Sequence, residues 1–289
     1  MKGIEVHEEN LRGCQVITVD VQTEDVAAHL GKSVGSYITI NTSMLSDEHD
    51  QIECVGECLA EILGRVLGPH FHKKLCVCGL GNRELPADSL GPEVTSNLPL
   101  NFFQVAQGYE CKFLEVCSLT PGVFGVNNVR TDALVAGAVQ AMGVGCLLLV
   151  DSVVTPDPAK LFKVIQISTA DGTKSFFSDK KENWASLGIP VISIGIPTSI
   201  PMKVLYPSEP QDDKLLTSTA VATEVAALSI ILCYALIRVC WPSITQDECF
   251  LLTKINKDPL PYSSLLIDSE KGEAAPPQSQ DAFLAGFEN

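Results

Sequence analysis

The chain has 289 residues, of which 46% are hydrophobic, 19% are charged and 6% are aromatic. Its 20 lysines and arginines, against 35 aspartates and glutamates, give a formal net charge of −15. This composition is typical of a folded globular protein and argues against a chain that is disordered throughout. Because the charge is strongly acidic, we expect no direct binding to nucleic acid.

The first half of the chain begins with strands and continues with a helix. Residues 15–21 and 37–40 are rich in β-branched side chains and predict two strands within an amino-terminal strand region, residues 1–45. Hydrophobic residues recur at helical spacing from Asp47 to Leu67 and predict an amphipathic helix. The run Leu75-Cys76-Val77-Cys78 then predicts a strand buried on both faces.

Strands and helices continue to alternate along the rest of the chain. A second apolar run, Cys146-Leu147-Leu148-Leu149-Val150, predicts another buried strand. Further strands are predicted at residues 113–116, 163–167 and 190–195, and helices at 91–98 and 131–142. This alternation predicts an α/β fold, a three-layer sandwich with a mostly parallel central sheet.

The most apolar segment, residues 217–241, is predicted to be a core helix. Only thirteen residues separate Glu224 from Arg238, whereas a bilayer requires about 20, so we expect no membrane span. We expect a single domain over residues 1–265. The polar composition beyond Asp268 predicts a flexible tail over residues 266–289.

The eleven cysteines are interpreted as free thiols that pack in the core. Their number is odd, and no segment typical of a signal peptide precedes them, so we expect a cytoplasmic protein. Neither Cys76-x-Cys78 nor the pair Cys54 and Cys58 finds a second pair at the spacing of a zinc site. We therefore expect neither a metal nor a cofactor.

Two aspartates are the candidate catalytic residues. Asp151 follows a buried strand, at the edge of a parallel sheet where catalytic groups gather, and Asp88 lies in the loop after the earlier strand. If the two strands are neighbours, both carboxylates can face one crevice and share a proton. One would then activate water while the other protonates the leaving group. The alternatives are a helix N-cap for Asp88 and a loop cap for Asp151.

Other catalytic schemes have weaker support in the sequence. All five histidines precede residue 73, so a serine or cysteine nucleophile would depend on His70 or His72, near a predicted turn. The loop Gly79-Leu80-Gly81-Asn82 is similar to a phosphate-binding loop, but it lacks the third glycine or the lysine that such loops carry.

Several segments, in the same order along the chain, resemble the spore germination protease family, whose members degrade small acid-soluble spore proteins. The resemblance spans residues 4–200. Its segments are Gly79-Leu80-Gly81-Asn82, Pro86-Ala87-Asp88-Ser89-Leu90-Gly91-Pro92, Thr120-Pro121-Gly122-Val123-Phe124-Gly125, Leu149-Val150-Asp151-Ser152, Val164-Ile165-Gln166-Ile167-Ser168 and the stretch 187–198.

The resemblance implies an atypical aspartic endopeptidase, with catalytic aspartates at Asp88 and Asp151. It implies a fold shared with hydrogenase-maturation proteases, of the phosphorylase/hydrolase-like type. It further implies small acid-soluble spore proteins as the substrate partner, a role in the spore core or forespore, synthesis as a zymogen and a homo-oligomer.

The chain also departs from the family pattern. A histidine- and glycine-rich loop is usual after the Gln-Ile strand, but this chain has Ala170-Asp171-Gly172-Thr173-Lys174-Ser175-Phe176-Phe177 there. About a dozen residues precede the first predicted strand, and the resemblance does not extend to the carboxyl-terminal 50 or so residues. Two alternatives therefore stay open: a hydrogenase-maturation-type endopeptidase, and a catalytically silent sporulation paralogue that acts as a binding protein.

Overall fold

A computed structural model describes residues 3–42, 49–100, 108–170, 184–207 and 214–255. They belong to a compact unit, Met1–Asn256, and a second unit, Lys257–Asn289, lies outside the described residues. The predicted domain 1–265 and tail 266–289 therefore stay predictions.

Strands and helices of the described residues confirm the α/β class. The strands are β1 (Ile4–Leu11), β2 (Cys14–Val21), β3 (Gly35–Asn41), β4 (Lys74–Gly79), β5 (Glu115–Leu119), β6 (Cys146–Val154), β7 (Val164–Ser168), β8 (Val191–Pro201) and β9 (Leu215–Leu216). The helices are α1 (Glu24–Leu30), α2 (His49–Leu67), α3 (Leu90–Asn97), α4 (Phe124–Asn127), α5 (Thr131–Met142), α6 (Met202–Leu205), α7 (Val221–Cys240) and α8 (Gln246–Ile255).

The strands form a mixed sheet, which corrects the prediction of a mostly parallel one. Within the described residues the order is β1-β2-β3-β7-β8-β6-β4-β5, with β9 paired to β8. Strands β8, β6, β4 and β5 are parallel to one another, and the remaining pairs are antiparallel. The apolar runs of β4, β6 and β8 form parallel pairs, as such runs predict, whereas β1, β2, β3 and β7 add the antiparallel pairs.

The connection between β1 and β2 explains the antiparallel start of the sheet. Only Arg12 and Gly13 separate the two strands, and both have positive φ angles, of 54° and 82°. Two such residues form the tight hairpin turn that matches the twist of antiparallel strands. Strand β1 and helices α1 and α8 were not predicted, and β5 begins at Glu115, two residues later than expected.

Helices pack on both faces of the sheet. On one face, α2, α3 and α7 bury a large apolar cluster that includes Leu75 and Val77 of β4. On the other face, Val135 and Val139 of α5 pack with Cys76 of β4 and its neighbours. The alternation of buried side chains along β4 therefore supplies both cores.

Helix α7 is long and apolar enough to cross a membrane by length and composition, yet 67% of its most apolar window is buried inside the structure. It packs against α2 and α3. The helix therefore belongs to the core, as predicted, because contacts within the protein already bury most of its apolar surface.

The eleven cysteines are all free, which confirms the prediction of unpaired thiols. Burial raises the pKa of Cys146 to about 11 and the pKa of Cys249 to about 12. Both groups are therefore neutral near pH 7, whereas a nucleophilic cysteine needs the thiolate form. These two serve as small apolar groups in the core. The expectation of core packing is wrong for Cys54, which is exposed.

Glu57 connects the two long helices α2 and α7. Its carboxylate accepts hydrogen bonds from the Tyr234 hydroxyl at 2.6 Å and from Arg238 Nε at 2.9 Å. Burial by itself would raise the pKa of Glu57, but the Tyr234 hydrogen bond and the Arg238 charge outweigh it, so the pKa is lowered. A lowered pKa in the folded state means that ionised Glu57 stabilises the fold.

We expect Glu57→Gln to reduce the free energy of unfolding by about 1.5–3 kcal/mol at pH 7, the usual range for hydrogen bonds to a charged group. The loss should disappear as the pH falls through the lowered pKa of Glu57, because the wild-type carboxyl is then protonated too. Urea unfolding at pH 7 and under acid conditions measures both effects. Glu61→Gln, which removes exposed pairs with Arg65 on the same helix and with Arg12, is the control and should cost under about 1 kcal/mol. An equal loss for Glu57→Gln at both pH values would contradict this account.

Candidate active site

The loop that follows β4 folds back on itself and holds Asp88. The backbone N–H of Asn82 donates to the carbonyl oxygen of Asp88 and to its carboxylate oxygen Oδ2, both at 2.9 Å. Asp88 ends a short 3-10 turn, Pro86–Asp88, and its side chain is half-buried. The carboxylate is therefore oriented by the backbone of its own loop.

The N-cap alternative for Asp88 is wrong. Helix α3 begins at Leu90 and its N-cap residue is Ser89, whose side chain makes no capping hydrogen bond. The Asp88 carboxylate instead contacts Asn82, six residues earlier. This contact of the carboxylate therefore lies within the loop after β4.

Asp151 lies within β6 and not at its end. The strand continues to Val154 because β8, which is 11 residues long, pairs with it along this stretch, Asp151 opposite Gly195. On the other side of β6, the neighbouring strand β4 ends at Gly79, opposite Val150, one residue before Asp151. Asp151 is half-buried, and its Oδ1 accepts the N–H of Ser152 at 2.8 Å. Asp151 therefore stands where a neighbouring strand has stopped, which corrects the prediction of a strand end.

Glycines allow the Asp88 loop to approach β6 closely. A Cβ atom added to Gly91 would lie 2.3 Å from the carbonyl oxygen of Leu80 and 2.5 Å from that of Val150. A Cβ added to Gly79 would lie 2.1 Å from the carbonyl oxygen of Gly91. These contacts leave no room for any side chain, so the start of α3 rests directly on the end of β4 and on Val150 within β6. The close contact with Gly91 also explains why residue 79 is a glycine, so a bound phosphate is not needed to account for it.

The Asp88 turn is also attached to β8. The hydroxyl of Thr198 donates to the carbonyl oxygen of Ala87 at 2.5 Å, and Thr198 is 1% exposed. Because β8 pairs with β6, this bond joins the turn that carries Asp88 to the strand next to Asp151. Thr198 was not among the predicted site residues. A polar residue at the end of a long apolar run was the signal available in the sequence.

The histidines lie at the other end of β4. His70 belongs to the 3-10 turn Gly68–His70, and His72 precedes the first residue of the strand, Lys74. Asp88 follows the opposite end of β4, about 16 Å away at ~3.3 Å per strand residue. The structure therefore does not bring either histidine to the aspartates. Residues 171–177, which depart from the family pattern, lie outside the described residues.

Comparison with known proteins matches residues 1–206 to the germination protease family. The germination protease of Caldanaerobacter subterraneus subsp. tengcongensis is 30% identical over 212 residues, which cover 68% of this chain and 63% of that protein. Those of Priestia megaterium and Oceanobacillus iheyensis are 28% and 31% identical over 214 residues, 69% of this chain and 56% and 57% of theirs.

The chain thus spans about three fifths of the length of these relatives. The match covers the described elements from β1 to β8, including the loop that carries Asp88 and the strand that carries Asp151. The chain belongs to the germination protease family.

Proposed function

We propose that this chain is an endopeptidase of spore germination in which Asp88 and Asp151 act together on a water molecule. The observation that carries the proposal is the close packing of the Asp88 loop and the start of α3 on the end of β4 and on Val150, the residue before Asp151 in β6. That packing depends on Gly91 and on the bond from Thr198 to Ala87. The family match supports the proteolytic activity, because the named relatives are germination proteases.

The proposed chemistry requires that the two half-buried carboxylates face one cleft. Two such groups cannot both ionise at low cost, so the pair retains one proton. The ionised member takes a proton from water, whose oxygen attacks the peptide carbonyl carbon. The protonated member gives its proton to the amide nitrogen as the bond breaks. We describe the pair as one titrating unit and assign neither role to a single residue.

The proposed substrates are small acid-soluble spore proteins, cleaved in the cytoplasm of the spore or forespore. The proposed fold is the three-layer sandwich of hydrogenase-maturation proteases, which the helices on both faces of the sheet support. We further propose that the protein forms a homo-oligomer and is synthesised as a zymogen.

The direct test is to incubate the purified chain with a small acid-soluble spore protein and to follow the fragments by mass spectrometry. We expect cleavage by the wild type and none by the Asp88→Asn, Asp151→Asn double variant, whose fold is checked by circular dichroism. Binding of the spore protein without cleavage by the wild type would refute the endopeptidase and favour the silent binding protein.

A further inference from the structure

The two faces of the sheet differ in the region beyond Asp151. On the face of α2 and α7, the side chains of β7 and β8 are apolar and fully buried: Ile165, Ile167, Ile194 and Ile196 are each 0% exposed. The opposite face carries Gln166 and Ser168 on β7 and Ser193 and Gly195 on β8. A sheet interior that lies between helices is normally apolar on both faces, so these polar positions need an explanation.

The strand register places some of these polar positions in one row with Asp151. Asp151 pairs with Gly195, Gly195 with Gln166, and Gln166 with Thr39, so the four residues form one row across β6, β8, β7 and β3. Directly paired residues project from the same face of a sheet. The side chains of Asp151, Gln166 and Thr39 are all half-buried. We call this row the polar strip.

A buried hydroxyl adjoins the polar strip. Ser193 precedes Gly195 by two residues on β8 and therefore projects from the same face. It is 1% exposed, and its Oγ has no hydrogen-bond partner among the described residues. A buried polar atom without a partner costs free energy, which a ligand that binds it can recover. Ser193 is thus an independent indication of a ligand on this face.

The dimensions of the polar strip suit an extended peptide. Adjacent strands are about 4.8 Å apart, so Gln166 lies about 10 Å from Asp151, with Gly195 between them. An extended chain covers that distance with three residues at ~3.3 Å each. Gly195 has no side chain to obstruct a chain that crosses β8. The Gln166 amide supplies both a donor and an acceptor, which match one peptide group.

We propose that Gln166 is a substrate-binding residue that hydrogen-bonds the main chain of the substrate about three residues from the scissile bond. This inference rests on the proposed function and adds a subsite to it. Because the bond is made to the main chain, it aligns substrates of different sequence. It requires a peptide that extends far enough along the polar strip.

The test uses Gln166→Met, which keeps the length of the side chain and removes its hydrogen bonds. On the inactive Asp151→Asn background, we expect binding of a fluorescein-labelled small acid-soluble spore protein to weaken about 3- to 10-fold, the effect of one or two neutral hydrogen bonds. In the active chain KM should rise by a similar factor with little change in kcat. Gln140→Met, an exposed residue on α5, is the matched control and should change neither.

Peptides shortened from each end give the positional readout. Sensitivity to Gln166→Met should vanish for peptides with fewer than three residues on one side of the scissile bond and persist for peptides shortened on the other side. Unchanged binding in Gln166→Met, or an equal effect on every peptide, would overturn the inference. If binding depends on Gln166 but the wild type does not cleave, the proposed function fails and the subsite remains.

Discussion

Asp88→Asn and Asp151→Asn are each expected to reduce kcat for cleavage of a small acid-soluble spore protein by a factor of about 10²–10⁴, the usual contribution of general acid–base catalysis. Asparagine keeps the shape of the side chain but can neither accept the proton from water nor donate one to the leaving nitrogen. Both carboxylates are half-buried and stand at a loop and a strand edge, so the fold should persist.

The two substitutions should not be additive. Residues that act as one unit lose most of the rate when either is removed, so the double variant should be little slower than each single one. The wild type should show a bell-shaped dependence of kcat/KM on pH, which reports the shared proton. Asp247→Asn, at an exposed position in the first turn of α8, is the control. A rate within a few fold of wild type for either single variant would show that the pair is not the catalytic unit.

Gly91→Ala is expected to destabilise the fold by about 3 kcal/mol or more, at the upper end of the range for overpacking. The added methyl group would meet three backbone atoms of Leu80 and Val150 within 2.5 Å, and backbone cannot rotate away as a side chain can. The start of α3 must therefore move, and the Asp88 loop with it. We expect activity to fall together with stability.

Gly137→Ala is the matched control for that experiment. Gly137 lies within α5, and a Cβ atom added there would have no neighbour within 4 Å. Alanine is a better helix former than glycine, so this variant should be stabilised by about 0.4–1 kcal/mol and stay fully active. Urea unfolding and the cleavage assay measure both variants. If Gly91→Ala is as stable as wild type, close packing does not determine the position of the loop.

Local patterns in the sequence predicted the elements that have strong periodicity. Helix α5 occupies the predicted residues, Thr131–Met142, because an apolar stripe at helical spacing and a following glycine mark its ends. Strands β4 and β6 were recognised because runs of apolar residues suit a strand that is buried on both faces. Asp151 was selected as a candidate by the same reasoning, because its charge directly follows an apolar run.

Elements with weaker local signals were missed. Strand β1 is a solvent-exposed edge strand, so it lacks the apolar pattern that predicts a strand. The N-cap alternative for Asp88 failed because a preference for aspartate at helix starts is local. The contact that holds its carboxylate joins the two ends of a loop.

The order of residues alone determined the α/β class, the buried strands and the two acidic side chains worth examining, because these follow from periodicities a few residues long. The tertiary structure decided the direction and neighbours of each strand. It also decided the close contact of α3 with Leu80 and Val150, and the row from Asp151 to Gln166. Those features join residues that are far apart in the chain. Their free energy comes from packing and pairing across the whole sheet, and no short segment contains it.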